Sequence, residues 1–256
     1  MQDSNLSLVD FLNLKVDEYN QLTFIDRDPI SIPHQFIKKQ DIEIAGFFAA
    51  ILAWGNRTTI IQNANRIMEA MEHSPYEFIL NHKEKDLKRF LNIKHRTFNA
   101  TDLLYLIHFL KIHFKEYDSL EDAFFIKQGV NQKQRLIDFH EYIFSFEHPE
   151  RTRKHISNPE KNSACKRINM YLRWMVRKDD RGVDFGIWSR MKMNELMIPM
   201  DIHVSHVAYR LGLIKENKAN WKTATELTNA LSAMDADDPC KYDFALFALG
   251  AEERLR

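Results

Sequence analysis

Lys166 and Asp201 are the residues whose local text best offers chemistry. Lys166 falls near the start of a segment, residues 163–177, in which Cys165, Ile168, Leu172 and Met175 recur at i, i+3, i+7 and i+10. That spacing makes one apolar face of a helix. Lys166, Arg173 and Arg177 share another face. Ser163 is the expected N-cap, after a turn over residues 158–162. A lysine in the first turn meets the positive end of the helix dipole, which favours the neutral, nucleophilic amine. Asp201 sits in Ile198-Pro199-Met200-Asp201-Ile202-His203-Val204. Pro199 ends what precedes, and Asp201 stands where an N-cap belongs before Val204, Val207, Ala208 and Leu211. A capping carboxylate pointing out of a helix start can stabilise an oxocarbenium-like centre or orient an attacking amine or water. The same text also fits a surface lysine and an ordinary cap. His203 and His206 share the turn after Asp201, but two histidines without a further ligand cluster do not make a metal site, and none is expected.

These segments need helices to carry them, and nearly the whole chain has helical period. Apolar residues recur at three- and four-residue intervals over 6–22, 41–54, 58–71, 101–114, 132–146, 163–176, 202–211, 223–234 and 239–249. Pro29, Pro33, Pro75, Pro149, Pro159, Pro199 and Pro239 fall between them. Strand-like alternation is scarce. The chain is expected to be all-α, without internal repeat or low-complexity tract.

At 256 residues, 45% hydrophobic and 28% charged, the composition is that of an ordinary globular protein with a sizeable core. No apolar run approaches membrane-spanning length, and the polar first five residues lack a secretory pattern. Two cysteines fit a reduced, cytoplasmic protein and are too few for a four-thiolate cluster. The formal net charge of +0 does not advertise nucleic acid. Its distribution is more telling: residues 151–181 hold ten Lys/Arg (151, 153, 154, 161, 166, 167, 173, 177, 178, 181) against Glu160, Asp179 and Asp180. That excess suits phosphates, with Arg167, Arg173 and Arg177 as candidate DNA contacts; it also suits a solvated helix face.

Taken together, the lysine and aspartate segments resemble the helix-hairpin-helix DNA glycosylase superfamily. Pro199-Met200-Asp201-Ile202-His203-Val204, continued by Arg210-Leu211-Gly212, is similar to the segment that carries that superfamily's aspartate. Lys166 matches the lysine of its bifunctional members, and the resemblance makes it a Schiff-base nucleophile. Residues 48–58 resemble an early helix and loop, which implies that Asn56, with Arg57 beside it, contacts DNA at the gap left by an extruded nucleotide. Residues 238–247 resemble the C-terminal helix of the archaeal 8-oxoguanine glycosylase branch, which makes Asp243 and Phe247 the pocket for the extruded base. The same two residues also fit a plain core helix. The whole chain further resembles an uncharacterised bacterial family of conserved hypothetical proteins, through Cys165-Lys166-Arg167, Asn169-Met170, Leu172 to Arg177, and Lys241 to Phe247.

The resemblance implies two interlocked helical subdomains with a cleft between them, about 45–150 and 1–44 plus 151–256. It implies a base-excision glycosylase and AP lyase for an oxidised purine such as 8-oxoguanine. The expected partner is double-stranded DNA with a damaged base; no cofactor, membrane or obligate protein partner is implied. The superfamily's hairpin is glycine-rich, whereas residues 158–163 hold no glycine. The alternatives are therefore a catalytically inactive nucleic-acid-binding protein of the same fold, or an all-helical interaction protein.

Overall fold

The computed structural model describes residues 6–127, 131–251 and 253; the polar first five residues lie outside it. Among the described residues ten α-helices follow one another: α1 (Leu8–Tyr19), α2 (Lys39–Leu52), α3 (Arg57–Ala70), α4 (Pro75–Asn81), α5 (Ala100–Glu116), α6 (Gln132–Ile143), α7 (Lys166–Val176), α8 (Ile202–Arg210), α9 (Trp221–Ser232) and α10 (Tyr242–Ala251). Among the described residues the only β pairings are two isolated bridges, His95 with Phe98 and Ser163 with Asn220. The chain is all-α. No described helix is long and apolar enough to cross a membrane.

The periodic segments become helices with ends moved by a few residues. α4 is the helix that periodicity misses: its seven residues are too short for a clear stripe, and Pro75 starts it by supplying a preset φ at N1. At the other end of the chain, a 3-10 turn at Pro159–Lys161 precedes α7, and another at Pro239–Lys241 precedes α10.

The chain divides into two compact units, one of residues 25–158 and one of residues 1–24 with 159–256. Both boundaries differ from the expected 44/45 and 150/151. The first moves because Ile30 and Ile32 are fully buried and their 3-10 turns pack on α2. The second moves because Arg151 and Thr152 both donate to the buried Asp102 of α5, at 2.7 and 2.8 Å.

In the central unit, α2 is buried along its whole length from Ile42 onward, with α3 and α4 packed on it and α4 also on α5. The Phe124 and Phe139 rings stack at 4.1 Å. Glu43, fully buried on α2, accepts from Ser119 Oγ (2.5 Å) and Leu120 N (2.9 Å), so a carboxylate that burial would penalise ties down the 119–120 turn instead.

In the second unit, α10 packs against both α1 and α8. Gly250 makes the α8 contact possible: a Cβ there would lie 3.1 Å from His203 Cβ and 3.2 Å from its carbonyl oxygen. α7 is buried from Ile168 to Val176. The chain beyond it folds back over its end, with Phe185 and Trp188 donating backbone N–H to the carbonyls of Trp174 and Met175.

Candidate active site

Lys166 is the first residue of α7, and the turn that delivers it is built without glycine. Asn162 has φ 56° and Cys165 φ 50°, both left-handed. Asparagine tolerates that region, whereas cysteine enters it at a cost on the order of 1–3 kcal/mol. The turn is held from several sides. Trp221 N donates to Asn162 O (3.2 Å), Ser163 Oγ accepts from Cys165 N (3.2 Å), and Asn169 Nδ2 donates to Ala164 O (3.0 Å). The cap position therefore belongs to Cys165, with no side-chain cap bond, rather than to Ser163 as the sequence predicts. Among the described residues, no hydrogen bond or ion pair holds the half-buried Lys166 ammonium.

Asp201 caps α8 with one oxygen: Oδ1 accepts from His203 N (2.9 Å) and Val204 N (3.0 Å). Its other oxygen has no partner among the described residues. Asp201 is half-buried, and Ile198 and Met200 before it in the chain are buried. This is a carboxylate fixed by its cap and still able to face a positive centre.

Asp243 is the second residue of α10 and 6% exposed. Arg173 Nη1 donates to its Oδ2. Burial pushes the carboxyl up, to about 6; Arg173 and Lys166 pull it down, and Asp201 and Asp184 push it up further. The charges of Lys166 and Asp201 thus both act on Asp243. Lys166, Asp201 and Asp243 stand at the starts of α7, α8 and α10. No hydrogen bond joins Lys166 to Asp201.

Arg173 and Arg177 lie elsewhere than the sequence suggests. They are 3% and 2% exposed, and their guanidinium groups face carboxylates of their own chain. Arg173 pairs with Asp184 (3.3 Å) as well as Asp243; Arg177 pairs with Asp179 (2.7 Å), Asp184 (3.1 Å) and Asp238 (2.9 Å). Burial works against the Arg177 charge, yet Asp184, Asp238 and Asp179 hold it above its ordinary range. For Asp184 and Asp238 burial wins, and both are raised despite their arginine partners. The face of α7 that was expected to meet phosphates is an interior ionic network. Arg151, Arg153 and Arg181 also have carboxylate partners, so much of the basic excess over 151–181 is neutralised within the chain. Arg167 is half-buried, and burial lowers its guanidinium to about 10.

Phe247 lies one turn beyond Asp243 on α10, half-buried, with its ring edge-on to Phe24 at 6.2 Å. Asn56 and Arg57 belong to the central unit. Asn56 is exposed and caps α3, accepting from Thr59 N (3.1 Å); Arg57 opens that helix, half-buried. Next to them Gly55 has φ +104°, and a Cβ there would lie 3.0 Å from Arg96 Nη1. The Arg96 guanidinium sits over the Trp54 ring at 4.8 Å. Sequence reading missed Arg96 and the Arg173–Asp184–Arg177 network. The four-residue spacing of the two arginines was a signal for the latter, but it names no partner.

Among the described residues, no three His, Cys, Asp or Glu side chains are grouped so as to hold a metal ion. His206 instead faces Asn217, its Nδ1 3.1 Å from Nδ2.

A family model described as "Protein of unknown function (DUF2400)" matches residues 28–252. No curated protein and no solved structure matches the chain.

Proposed function

The chain belongs to the DUF2400 family, whose description names no activity, and from that starting point we propose that it is a base-excision DNA glycosylase and AP lyase working through Lys166. The helix-hairpin-helix glycosylase arrangement and an oxidised purine such as 8-oxoguanine as target are parts of the same proposal. The observation that carries it is that Lys166, Asp201 and Asp243 all stand at helix starts of one compact unit, with the charges of Lys166 and Asp201 both acting on Asp243 although Lys166 and Asp243 are 77 positions (243 − 166) apart in the chain.

Each group has a role suited to its setting. The Lys166 amine, held by no ion pair, attacks C1′ of the damaged nucleotide as the glycosidic bond breaks. Asp201, fixed by its cap through Oδ1, offers Oδ2 to the positive charge that develops on the sugar. Asp243 and Phe247 meet the extruded base by hydrogen bond and ring contact. The imine that results permits β-elimination, so one lysine serves base removal and strand nicking. Asn56 and Arg57 are the proposed DNA contacts of the central unit, and Arg167 that of the second.

A second reading has an observation in its favour. The glycine-free turn before α7 and the internal pairing of Arg173 and Arg177 both remove phosphate contacts, which suits a nucleic-acid-binding protein of this fold without the reaction.

Borohydride trapping on duplexes containing 8-oxoguanine or an abasic site separates the two. Wild type is expected to form a covalent adduct that Lys166→Ala abolishes. Salt-sensitive DNA binding with no adduct on any duplex would leave the binding protein.

A further inference from the structure

We propose that Asn169 is a positioning residue for the Lys166 amine: its buried carboxamide oxygen accepts a hydrogen bond from Lys166 Nζ and fixes where that nitrogen points. The inference rests on the Schiff-base reading above and adds a residue that touches neither sugar nor base.

An acceptor without a donor and a donor without an acceptor stand three residues apart on α7. Asn169 is fully buried. Its Nδ2 donates to Ala164 O at 3.0 Å, and because a carbonyl only accepts, this bond settles which end of the carboxamide is oxygen. Oδ1 is enclosed and has no hydrogen-bond partner among the described residues. Enclosing a carbonyl oxygen without a donor is unfavourable, so an atom held this way in a native fold asks for one. Lys166 is half-buried, and among the described residues no hydrogen bond or ion pair takes up the protons of its ammonium.

Helix geometry makes the two residues neighbours. Positions i and i+3 share a helix face, with Cβ atoms roughly 5–6 Å apart. Side chains on a helix lean toward its N-terminus. That of Asn169 does so, since its amide reaches Ala164 in the turn from which Lys166 starts α7. The carboxamide therefore lies beside the root of the lysine, within range of its four-carbon stem.

The charged and titratable groups nearby in the chain or at the other two helix starts have different tasks. From the turn, the Cys165 thiol is pushed up to about 12 by burial, stays protonated and donates to Ser163 O. From α7, Arg167 is a cation, and Arg173 pairs with Asp184 and Asp243. From the α8 start, Asp201 caps its helix through Oδ1. From α10, Asp243 is anchored by Arg173. Asn169 is the neutral acceptor on the lysine's own face. Neutrality matters: a carboxylate there would hold the lysine as the unreactive ammonium, whereas a carboxamide oxygen accepts one N–H of the amine and leaves the nitrogen lone pair free.

Two measurements test the role. The first needs no DNA: carbon-13 NMR of the lysine-labelled full chain follows the Lys166 Cε resonance, assigned with Lys166→Arg, against pH. Asn169→Asp is expected to move its midpoint upward from wild type by about one pH unit or more, because a carboxylate beside the ammonium stabilises it. The second is single-turnover borohydride trapping on an abasic-site duplex, which presents C1′ to the amine with no base to remove. Asn169→Leu and Asn169→Asp are expected to slow adduct formation about 10–100-fold near neutrality, with DNA affinity unchanged within about 2-fold. Both variants lose the bond to Ala164, so slowing counts only together with the moved midpoint. An unmoved midpoint in Asn169→Asp, or a wild-type trapping rate in Asn169→Leu, overturns the positioning role and leaves the Schiff base standing. If the variants fail to fold, wild type decides: the Asn169 Cγ resonance is expected to shift with the Lys166 midpoint, and one that ignores it overturns the role. Absence of any wild-type adduct overturns the Schiff-base reading and the role with it, even where the midpoint moves.

Discussion

Arg173 and Asp243 form an interior ion pair that ties α7 to α10, and the same guanidinium reaches Asp184 on its other side. Its position between two carboxylates makes Arg173 a structural keystone of the second unit. Removing it leaves the buried Asp243 without its cation and Asp184 with Arg177 alone. Arg173→Met is expected to destabilise the protein by about 3–5 kcal/mol, the usual cost of breaking a buried pair from one side. Arg173→Lys keeps the charge but not the two-sided fork, and should lose less. Denaturant unfolding with an unchanged slope checks this; a loss under about 1 kcal/mol for Arg173→Met would sink it.

Asp201 combines a cap with a chemical role, and two substitutions separate them. Asp201→Asn keeps a good N-cap, so it should melt close to wild type, whereas Asp201→Ala should lose about 1 kcal/mol. Both lack the carboxylate charge and should slow base release about 10²-fold or more. Full activity in Asp201→Asn would show that capping is all the residue does.

Gly250 sets the distance between α10 and the start of α8. Gly250→Ala puts a Cβ 3.1–3.2 Å from His203 Cβ and carbonyl oxygen, and backbone cannot yield as a flexible side chain would. The expected cost is about 1–3 kcal/mol. Because His203 is two residues from Asp201, activity should fall as well. Gly212, just past the other end of α8, has φ +72° and nothing within 4 Å of the added Cβ. Gly212→Ala should cost about 1 kcal/mol of backbone strain and leave activity intact. Equal activities in the two variants would contradict the assignment.

Asp243 also predicts a pH dependence of stability. Its carboxyl is raised from 3.8 to about 6 by burial, so the folded protein holds a proton that the unfolded chain has released. The stabilisation from this group is complete below about pH 4 and is lost as pH rises through about 6, a change on the order of 3 kcal/mol. The stability of wild type relative to Asp243→Asn should therefore fall across that window. A difference that stays constant from about pH 4 to about pH 7 would refute it.

Local features of the fold were legible in the sequence, and non-local ones were not. The apolar stripe of α7 and the Asp201 cap are set by residues within one or two helical turns, so spacing alone reveals them. The N-cap of α7 was misplaced because the left-handed Cys165 is sustained from a distance, by the Ser163–Asn220 bridge and the Trp221 bond to Asn162. Arg173 and Arg177 were read as facing DNA because their partners lie as far as 70 positions along the chain. No periodic pattern announces that Asp184, Asp238 and Asp243 return to the same helix.

The second unit is assembled from both ends of the chain, and this has a consequence for biosynthesis. α1 leaves the ribosome well before α10, on which it packs, and before Asp179, to which Asn20 donates at 2.7 Å. At about 5–20 residues per second, synthesis of the intervening 25–158 segment takes on the order of ten seconds. By the end of that interval the central unit has all its residues and can fold, while the apolar side of α1, with Leu12 and Val16, still lacks α10.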